Sequence, residues 1–307
     1  MKMSSNLVRD CRRHYAGKLE EIYDSDEANA LIMILLEHYF GIDSVKIAME
    51  PELRLSESEL LTLHFAVKEL LKNKPIQYII GETEFCGMRF FVEEGVLIPR
   101  PETEELVNQL VSCSVSQLAV TPNSSFRVKR SGVEKSPIKI LDIGTGSGCI
   151  AISLAKLLKD SVVTAVDVSE KALKIAEKNA KANDADVQFV LDDILNPQNQ
   201  ELIESQYDII VSNPPYVCES EKAEMRANVL DYEPSTALFV SDNDPLVFYR
   251  KILEFAQKTL KPKGEIWFEI NEKFGTEIKN LCFEIGFKNV EIIKDFGGKD
   301  RILKSNL

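Results

Sequence analysis

The sequence predicts an α/β protein in which a small helical domain precedes a doubly wound, mostly parallel sheet. Apolar residues recur at helical spacing from about Leu7 to Leu71, short apolar runs alternate with helical ones after Pro137, and a glycine-rich turn closes the first of those runs.

The helical part is read from Ala28, Leu31, Ile32, Leu35, Leu36 and Tyr39, then Leu60, Leu61, Leu63, Phe65, Leu70 and Leu71. Ser56 and Glu59 have the Ser-x-x-Glu form of a capping box. Four or five helices are expected over 1–74, serving either packing alone or recognition of a macromolecular partner. Over 75–98 the pattern shifts to short strand-like runs, 77–80 and 88–92, punctuated by Gly81, Gly87 and Gly95, which reads as a hairpin linker. The larger domain is 99–307. It opens with Pro101 at a first helical position and Glu102 and Glu104 in the first turn, a helix running to about Val111. Residues 112–137, rich in Ser, Val, Asn and Pro, read as a surface insertion with Arg127, Lys129, Arg130 and Lys135 solvated. Strands are expected at 139–143, 162–166, 187–191, 207–212 and 265–270 with helices between them, and 290–294 with 301–303 form an antiparallel edge.

Composition narrows the function. A formal net charge of -12 argues against direct binding to a nucleic-acid backbone, because Lys and Arg drive that binding by displacing counterions. A protein or small-molecule acceptor fits better. All three histidines, His14, His38 and His64, precede residue 100, so chemistry in the larger domain proceeds without imidazole as acid, base or ligand. Cys11, Cys86, Cys113, Cys149, Cys218 and Cys282 are scattered, with no Cys-x-x-Cys pair, and no metal site is expected. No run approaches the roughly 20 apolar residues of a membrane span, and residues 1–10 lack the apolar core of a signal peptide. A cytoplasmic monomer without membrane or direct nucleic-acid contacts is the expectation.

Leu141-Asp142-Ile143-Gly144-Thr145-Gly146-Ser147-Gly148 lies where the first strand gives way to a helix, and its alternating glycines let the backbone turn sharply and approach a ligand closely. Asp167 ends the next strand, where a carboxylate accepts both hydroxyls of a ribose. The pair points to an adenosine-containing cofactor. The spacing is Gly-x-Gly-x-Gly rather than the Gly-x-Gly-x-x-Gly of dinucleotide binding, and Asp142 suits a cationic amino-acid moiety better than a pyrophosphate. S-adenosylmethionine is therefore favoured over NAD. Asp192, Asp193 and Ile194 follow the third strand; a carboxylate or backbone amide there reads the adenine amine and Ile194 covers the ring, with a helix cap as the structural alternative.

Asn213-Pro214-Pro215-Tyr216 follows the fourth strand at the carboxyl edge of the sheet. The Asn213 side-chain oxygen, placed beside the cofactor, and the Pro214 carbonyl can each accept one N–H of a planar NH2 group. Pro214 and Pro215 stiffen the loop and remove competing backbone donors. Tyr216 is expected to stack on the acceptor. No strong base is needed if the proton leaves after methyl transfer. A planar amide or amino nitrogen is the expected acceptor.

On these motifs the chain resembles the release factor glutamine methyltransferases, the HemK or PrmC family. The resemblance runs from about residue 28 to the C-terminus. It includes Pro75-Ile76-Gln77-Tyr78-Ile79-Ile80-Gly81, Leu97-Ile98-Pro99-Arg100-Pro101-Glu102-Thr103-Glu104, Tyr232-Glu233-Pro234-Ser235-Thr236-Ala237-Leu238 and Asp295-Phe296-Gly297-Gly298-Lys299-Asp300-Arg301. It implies a Rossmann-like class I methyltransferase sheet with a helical N-terminal domain that grips peptide chain release factors. It also implies S-adenosylmethionine at Gly144 to Gly148 and Asp167, and the glutamine of a Gly-Gly-Gln loop at Asn213 to Tyr216. Ile194 stands where family members often carry an aromatic. Glutamine methylation of a ribosomal protein would use the same motifs; adenine-N6 methylation shares Asn-Pro-Pro-Tyr but sits poorly with the acidity. An NAD-dependent oxidoreductase would need the longer glycine spacing, and a non-catalytic binding protein would have no use for both motifs.

Overall fold

The computed structural model describes residues 5–119 and 136–307, the side chains of 115–119 excepted. The expected basic cluster Arg127, Lys129, Arg130 and Lys135 lies outside the described residues. The chain divides into two compact units, Met1–Glu82 with Arg226–Tyr232, and Thr83–Met225 with Glu233–Leu307.

The smaller unit contains α1 (Val8–Leu19), α2 (Ser25–Phe40), α3 (Ser44–Met49), α4 (Glu57–Leu70) and α5 (Ile76–Ile80). Asp24 caps α2 by accepting from Glu27 N at 2.8 Å, and Gly41 closes it in the left-handed region. The capping box at Ser56 and Glu59 forms as the spacing predicts. Leu19, Ile32, Leu35, Leu36 and Leu63 are fully buried between the helices. Residues 226–232 join this unit from far along the chain, the Tyr232 hydroxyl donating to the Lys72 carbonyl at 2.9 Å. One expectation is corrected here: 77–80 is helical, not a strand. Its β-branched composition favours a strand, but Ile76, Ile79 and Ile80 share a helical face packed on the core, and Tyr39 donates to the Ile79 carbonyl at 3.1 Å.

The larger unit opens with a hairpin, β1 (Glu82–Phe85) and β2 (Met88–Phe91), then α6 (Pro101–Ala119). Pro101 is the first helical residue, as expected. The helix runs past Val111, so 112–119 is not a loop. The Ser112 hydroxyl returns to the Asn108 carbonyl at 2.7 Å, which lets a serine-rich stretch continue a helix. There follow β3 (Ile138–Ile143), α7 (Cys149–Leu157), β4 (Ser161–Asp167), α8 (Glu170–Ala182), β5 (Val187–Leu191), α9 (Gln200–Glu204), β6 (Tyr207–Ser212) and β7 (Val217–Cys218). After them come α10 (Ala227–Tyr232, in the smaller unit), α11 (Ser235–Leu238), β8 (Phe239–Val240), α12 (Val247–Thr259), β9 (Leu260–Glu269), α13 (Gly275–Ile285), β10 (Lys288–Lys294) and β11 (Asp300–Asn306).

The main sheet has the order β10-β11-β9-β6-β3-β4-β5, with β11 antiparallel to both neighbours and the rest of the run from β9 to β5 parallel. Both faces are covered. Leu141, Ile143, Ile210, Ile266 and Phe268 pack on one side with α12 and α13, while Ile140, Ile209, Val211 and Trp267 pack on the other with α6 and α7. Burial on both faces is why these strands read as nearly continuous apolar runs. The sheet is that of a Rossmann-like class I methyltransferase fold. No described helix is long and apolar enough to cross a membrane.

The register aligns the carboxyl ends: Ile143 pairs with Val166 on one side and Ser212 on the other, Asp167 with Leu191, and Ser212 with Phe268. The Ser212 hydroxyl also donates to the Ile143 carbonyl at 2.7 Å. The glycine turn and the Asn-Pro-Pro-Tyr motif therefore leave the sheet side by side.

Asn179 of α8 holds the hairpin to this edge. Its Oδ1 accepts from Phe91 N at 2.6 Å and its Nδ2 donates to the carbonyls of Phe91 and Ser147 at 3.0 and 2.9 Å. Asn179→Ala should destabilise the protein by roughly 1–3 kcal/mol for each backbone group left buried without a partner. Urea denaturation checks the loss, and faster hydrogen exchange at the Phe91 amide checks its location.

Candidate active site

A cleft opens at these strand ends, lined wholly by the larger unit. Gly144, Thr145, Gly146 and Ser147 form its floor, with Asp167, Asp193 and Ile194 on one side and Asn213, Pro214 and Pro215 on the other. Ten of the sequence-derived site residues are thus brought together. Asp142, Gly148 and Tyr216 are not in the wall.

Asp142, expected to face the cofactor's cationic end, lies behind the cleft wall. It is fully buried under the glycine turn, where Oδ2 accepts from Thr145 Oγ1 at 2.6 Å and from Ala151 N at 3.2 Å, and Oδ1 has no partner. Burial pushes its carboxyl up to about 7, with the charge of Asp167 adding to the shift and the two hydrogen bonds opposing it. Its role is to pin the turn to the first turn of α7.

The glycines divide their work. Gly144 and Gly146 have φ of 73° and 57°, and a Cβ on either would project into open space, so the bare backbone edge faces the cleft. A Cβ on Gly148 would instead lie 2.9 Å from Ile152 Cδ1 and 3.0 Å from the Ala176 Cβ. Gly148 permits close packing of α7 on α8 rather than ligand approach.

Asp167 ends β4 with Oδ2 accepting from Gly146 N and Oδ1 from Ser169 N, both at 2.8 Å. Burial raises its carboxyl above the ordinary range against these hydrogen bonds. Asp192 is consumed as a turn anchor, accepting from the backbone amides of Asp193, Gln198 and Asn199. Asp193 accepts from Leu195 N at 2.9 Å and Ile194 packs on the sheet core beside it.

On the Asn213 side of the cleft a chain of hydrogen bonds runs through buried Glu269 and Thr103 to Asn213. Asn213 Nδ2 donates to Thr103 Oγ1 at 3.2 Å, Thr103 Oγ1 donates to Glu269 Oε2 at 2.7 Å, and the Tyr216 hydroxyl donates to Glu269 Oε1 at 2.9 Å. Tyr216 therefore does not present a stacking face to the cleft: its ring packs against the core and its phenol is tied to Glu269. Burial raises the Glu269 carboxyl, opposed by the two hydroxyls and the charge of Arg301; burial and Glu269 together raise the Tyr216 phenol. Arg100 in the cleft wall is paired with buried Glu233, which also accepts from Ile98 N at 3.4 Å.

Thr103, Glu269 and the Arg100–Glu233 pair were given no role by motif reasoning. The signal for Glu269 was present, a carboxylate in the otherwise apolar run Ile266-Trp267-Phe268-Glu269-Ile270. Among the described residues no group of histidines, cysteines and carboxylates is placed to hold a metal. Cys149, in the wall, has its thiol raised far above the usual range by burial, which disfavours the thiolate form.

The residues fit S-adenosylmethionine: an open backbone cradle at Gly144 and Gly146, a carboxylate at the end of β4, and an apolar wall including Ile194. Residues 10–81 match the PrmC N-terminal domain and residues 130–231 the Methyltransferase small domain. The release factor glutamine methyltransferase of Flavobacterium psychrophilum is 44% identical over 300 residues, 98% of this chain and 99% of that protein. That of Bacteroides thetaiotaomicron is 46% identical over 94% of this chain and 96% of its own length, and that of Bacillus subtilis 37% identical over 90% of each. The chain belongs to the release factor glutamine methyltransferase family. As a member of that family it is an S-adenosylmethionine-dependent methyltransferase.

The buried acid under the cofactor turn makes this methyltransferase's stability depend on pH. The Asp142 carboxyl rises from 3.8 to about 7 on folding, so between those values the folded state holds a proton that the unfolded state has released. That contribution is fully present below pH 3.8 and is lost as pH rises through about 7. Relative to Asp142→Asn, the wild type should lose stability across this window in urea titrations. A difference that stays constant with pH would contradict the assignment.

Proposed function

We propose that this methyltransferase modifies the side-chain amide nitrogen of the glutamine in the Gly-Gly-Gln motif of peptide chain release factors, held at Asn213 to Pro215. The observation that carries the reading is the register of β3 and β6, which sets Asn213 beside the cofactor turn. S-adenosylmethionine supplies an electrophilic methyl group on a sulfonium. Gly144 to Ser147 and Asp167 would hold it, Asp167 suited to the ribose hydroxyls and Asp193 and Ile194 to the adenine.

An amide nitrogen is a weak nucleophile because its lone pair is delocalised, so the site must supply orientation and charge stabilisation. The Asn213 Oδ1 and the Pro214 carbonyl each accept one N–H of the glutamine, which fixes the face of the NH2 group. Both are negative ends of dipoles, and they stabilise the positive charge that grows on nitrogen during transfer. Two successive prolines leave no backbone N–H there to compete for the oxygens. The extra proton leaves after the methyl has moved, so histidine is not needed; all three histidines belong to the smaller unit.

The acidic chain supports a protein acceptor with no direct nucleic-acid contact, and we place the enzyme in the cytoplasm as a monomer. Labelled cofactor incubated with release factors, ribosomal proteins and nucleic acids tests this. Label should appear on the glutamine of release factors; label on nucleic acid or ribosomal protein alone would overturn the reading. Asn213→Ala should abolish transfer while S-adenosylmethionine affinity stays within a few fold, and Asp167→Ala should chiefly weaken cofactor binding, both read by calorimetry beside the labelling assay.

A further inference from the structure

We propose that Thr103 and Glu269 are positioning residues that set which end of the Asn213 amide faces the acceptor. The inference rests on the reading of Asn213 given above. A glutamine NH2 group needs an acceptor, so Asn213 must present Oδ1 and not Nδ2; a turn of 180° about the terminal torsion would present two donors and repel the substrate.

The network removes that freedom. Glu269 accepts on both of its oxygens in this network, and it is 1% exposed, so no solvent competes for them. One oxygen takes the hydroxyl hydrogen of Tyr216 and the other that of Thr103. With its only hydrogen committed to Glu269, Thr103 Oγ1 has lone pairs alone to offer Asn213. Nδ2 must turn toward it, as the 3.2 Å contact records, and Oδ1 is left for the cleft. Thr103 is itself buried, 3% exposed, on the first turn of α6, and Glu269 is the last residue of β9, so each is fixed by regular structure. The Tyr249 hydroxyl donates to the Glu269 carbonyl at 3.0 Å and braces the same strand end.

The test compares Thr103→Ser, Thr103→Val, Glu269→Gln and Asn213→Ala by kcat, KM for the release factor and affinity for S-adenosylmethionine. Thr103→Ser keeps the hydroxyl and should stay within a few fold of wild type. Thr103→Val keeps the shape but not the hydroxyl, and should lower kcat by roughly 10- to 100-fold, the scale of a misoriented catalytic group. Glu269→Gln, which puts a donor where one hydroxyl needs an acceptor, should do the same. Cofactor affinity should stay within about threefold in all of them, which distinguishes aiming of the amide from general loosening of the cleft. Full kcat in Thr103→Val, equal losses in Thr103→Ser and Thr103→Val, or a parallel fall in cofactor affinity would overturn the proposal. If Glu269→Gln does not fold, the Thr103 pair decides alone. Full activity in Asn213→Ala would instead sink the assignment of Asn213, whatever the others show.

Discussion

The pairing of Ile143 with Ser212 is the constraint on which the site depends. Adjacent strands lie about 4.8 Å apart, and their register decides which residues leave the sheet together. Here the residue after Ile143 is Gly144 and the residue after Ser212 is Asn213, and the Ser212 hydroxyl on the Ile143 carbonyl locks that level. From β3 the chain turns toward β4 and β5, whereas β6 borders β9 on its other side. The two exits diverge and leave a crevice between them, as at other points where strand order reverses. A slip of one residue would turn every strand side chain to the opposite face and bury a wrong set, so the apolar faces of the sheet defend the site's geometry.

The two halves of the crevice are built by different means. On the glycine-turn side, carboxylates bind backbone: Asp142 reaches Ala151 N, Asp167 reaches Gly146 and Ser169, and Asp192 reaches three amides of its own turn. Each loop is thereby held in shape by these bonds to its backbone, and the shape is what leaves Gly144 and Gly146 bare. The Asn213 side is held by side chains bonding to side chains, from α6, the loop after β6 and β9. Such a network is directional: it fixes donors and acceptors as well as positions, which matters where an amide must be recognised by one of its two ends.

Much of this was legible in the sequence. The strand run from 187 to 212 lies where apolar spacing puts it, because parallel strands covered on both faces leave little choice of pattern, and Pro101 opens α6 because proline at a first helical position costs no hydrogen bond. The failures have specific causes. The run 77–80 is β-branched in composition, but its helix is decided by burial of Ile76, Ile79 and Ile80 on a distant core, which is tertiary information. The continuation of α6 past Val111 hides behind serines that look like loop residues until one of them bonds back to its own helix. Asp142 and Tyr216 were assigned to ligand because the motif places them near it; the direction of a side chain depends on partners such as Thr145 and Glu269, one of them more than fifty positions away.

Glu269 shows why such partners escape motif reading. A buried carboxylate is costly unless its oxygens are satisfied, and an apolar residue of similar size at the end of β9 would spare the desolvation. Stability of the strand alone therefore gives no reason for a carboxylate at that position. The cost is offset by the Thr103 and Tyr216 hydroxyls and by the nearby charge of Arg301, itself paired with Asp295 at 3.1 Å. Those partners come from three separate segments of the larger unit, α6, the loop after β6 and the final hairpin, so the cluster exists only when these and the sheet are assembled. Asn213 inherits its orientation from that assembly, which makes the Asn213 end of the cleft a property of the folded domain and not of four consecutive residues.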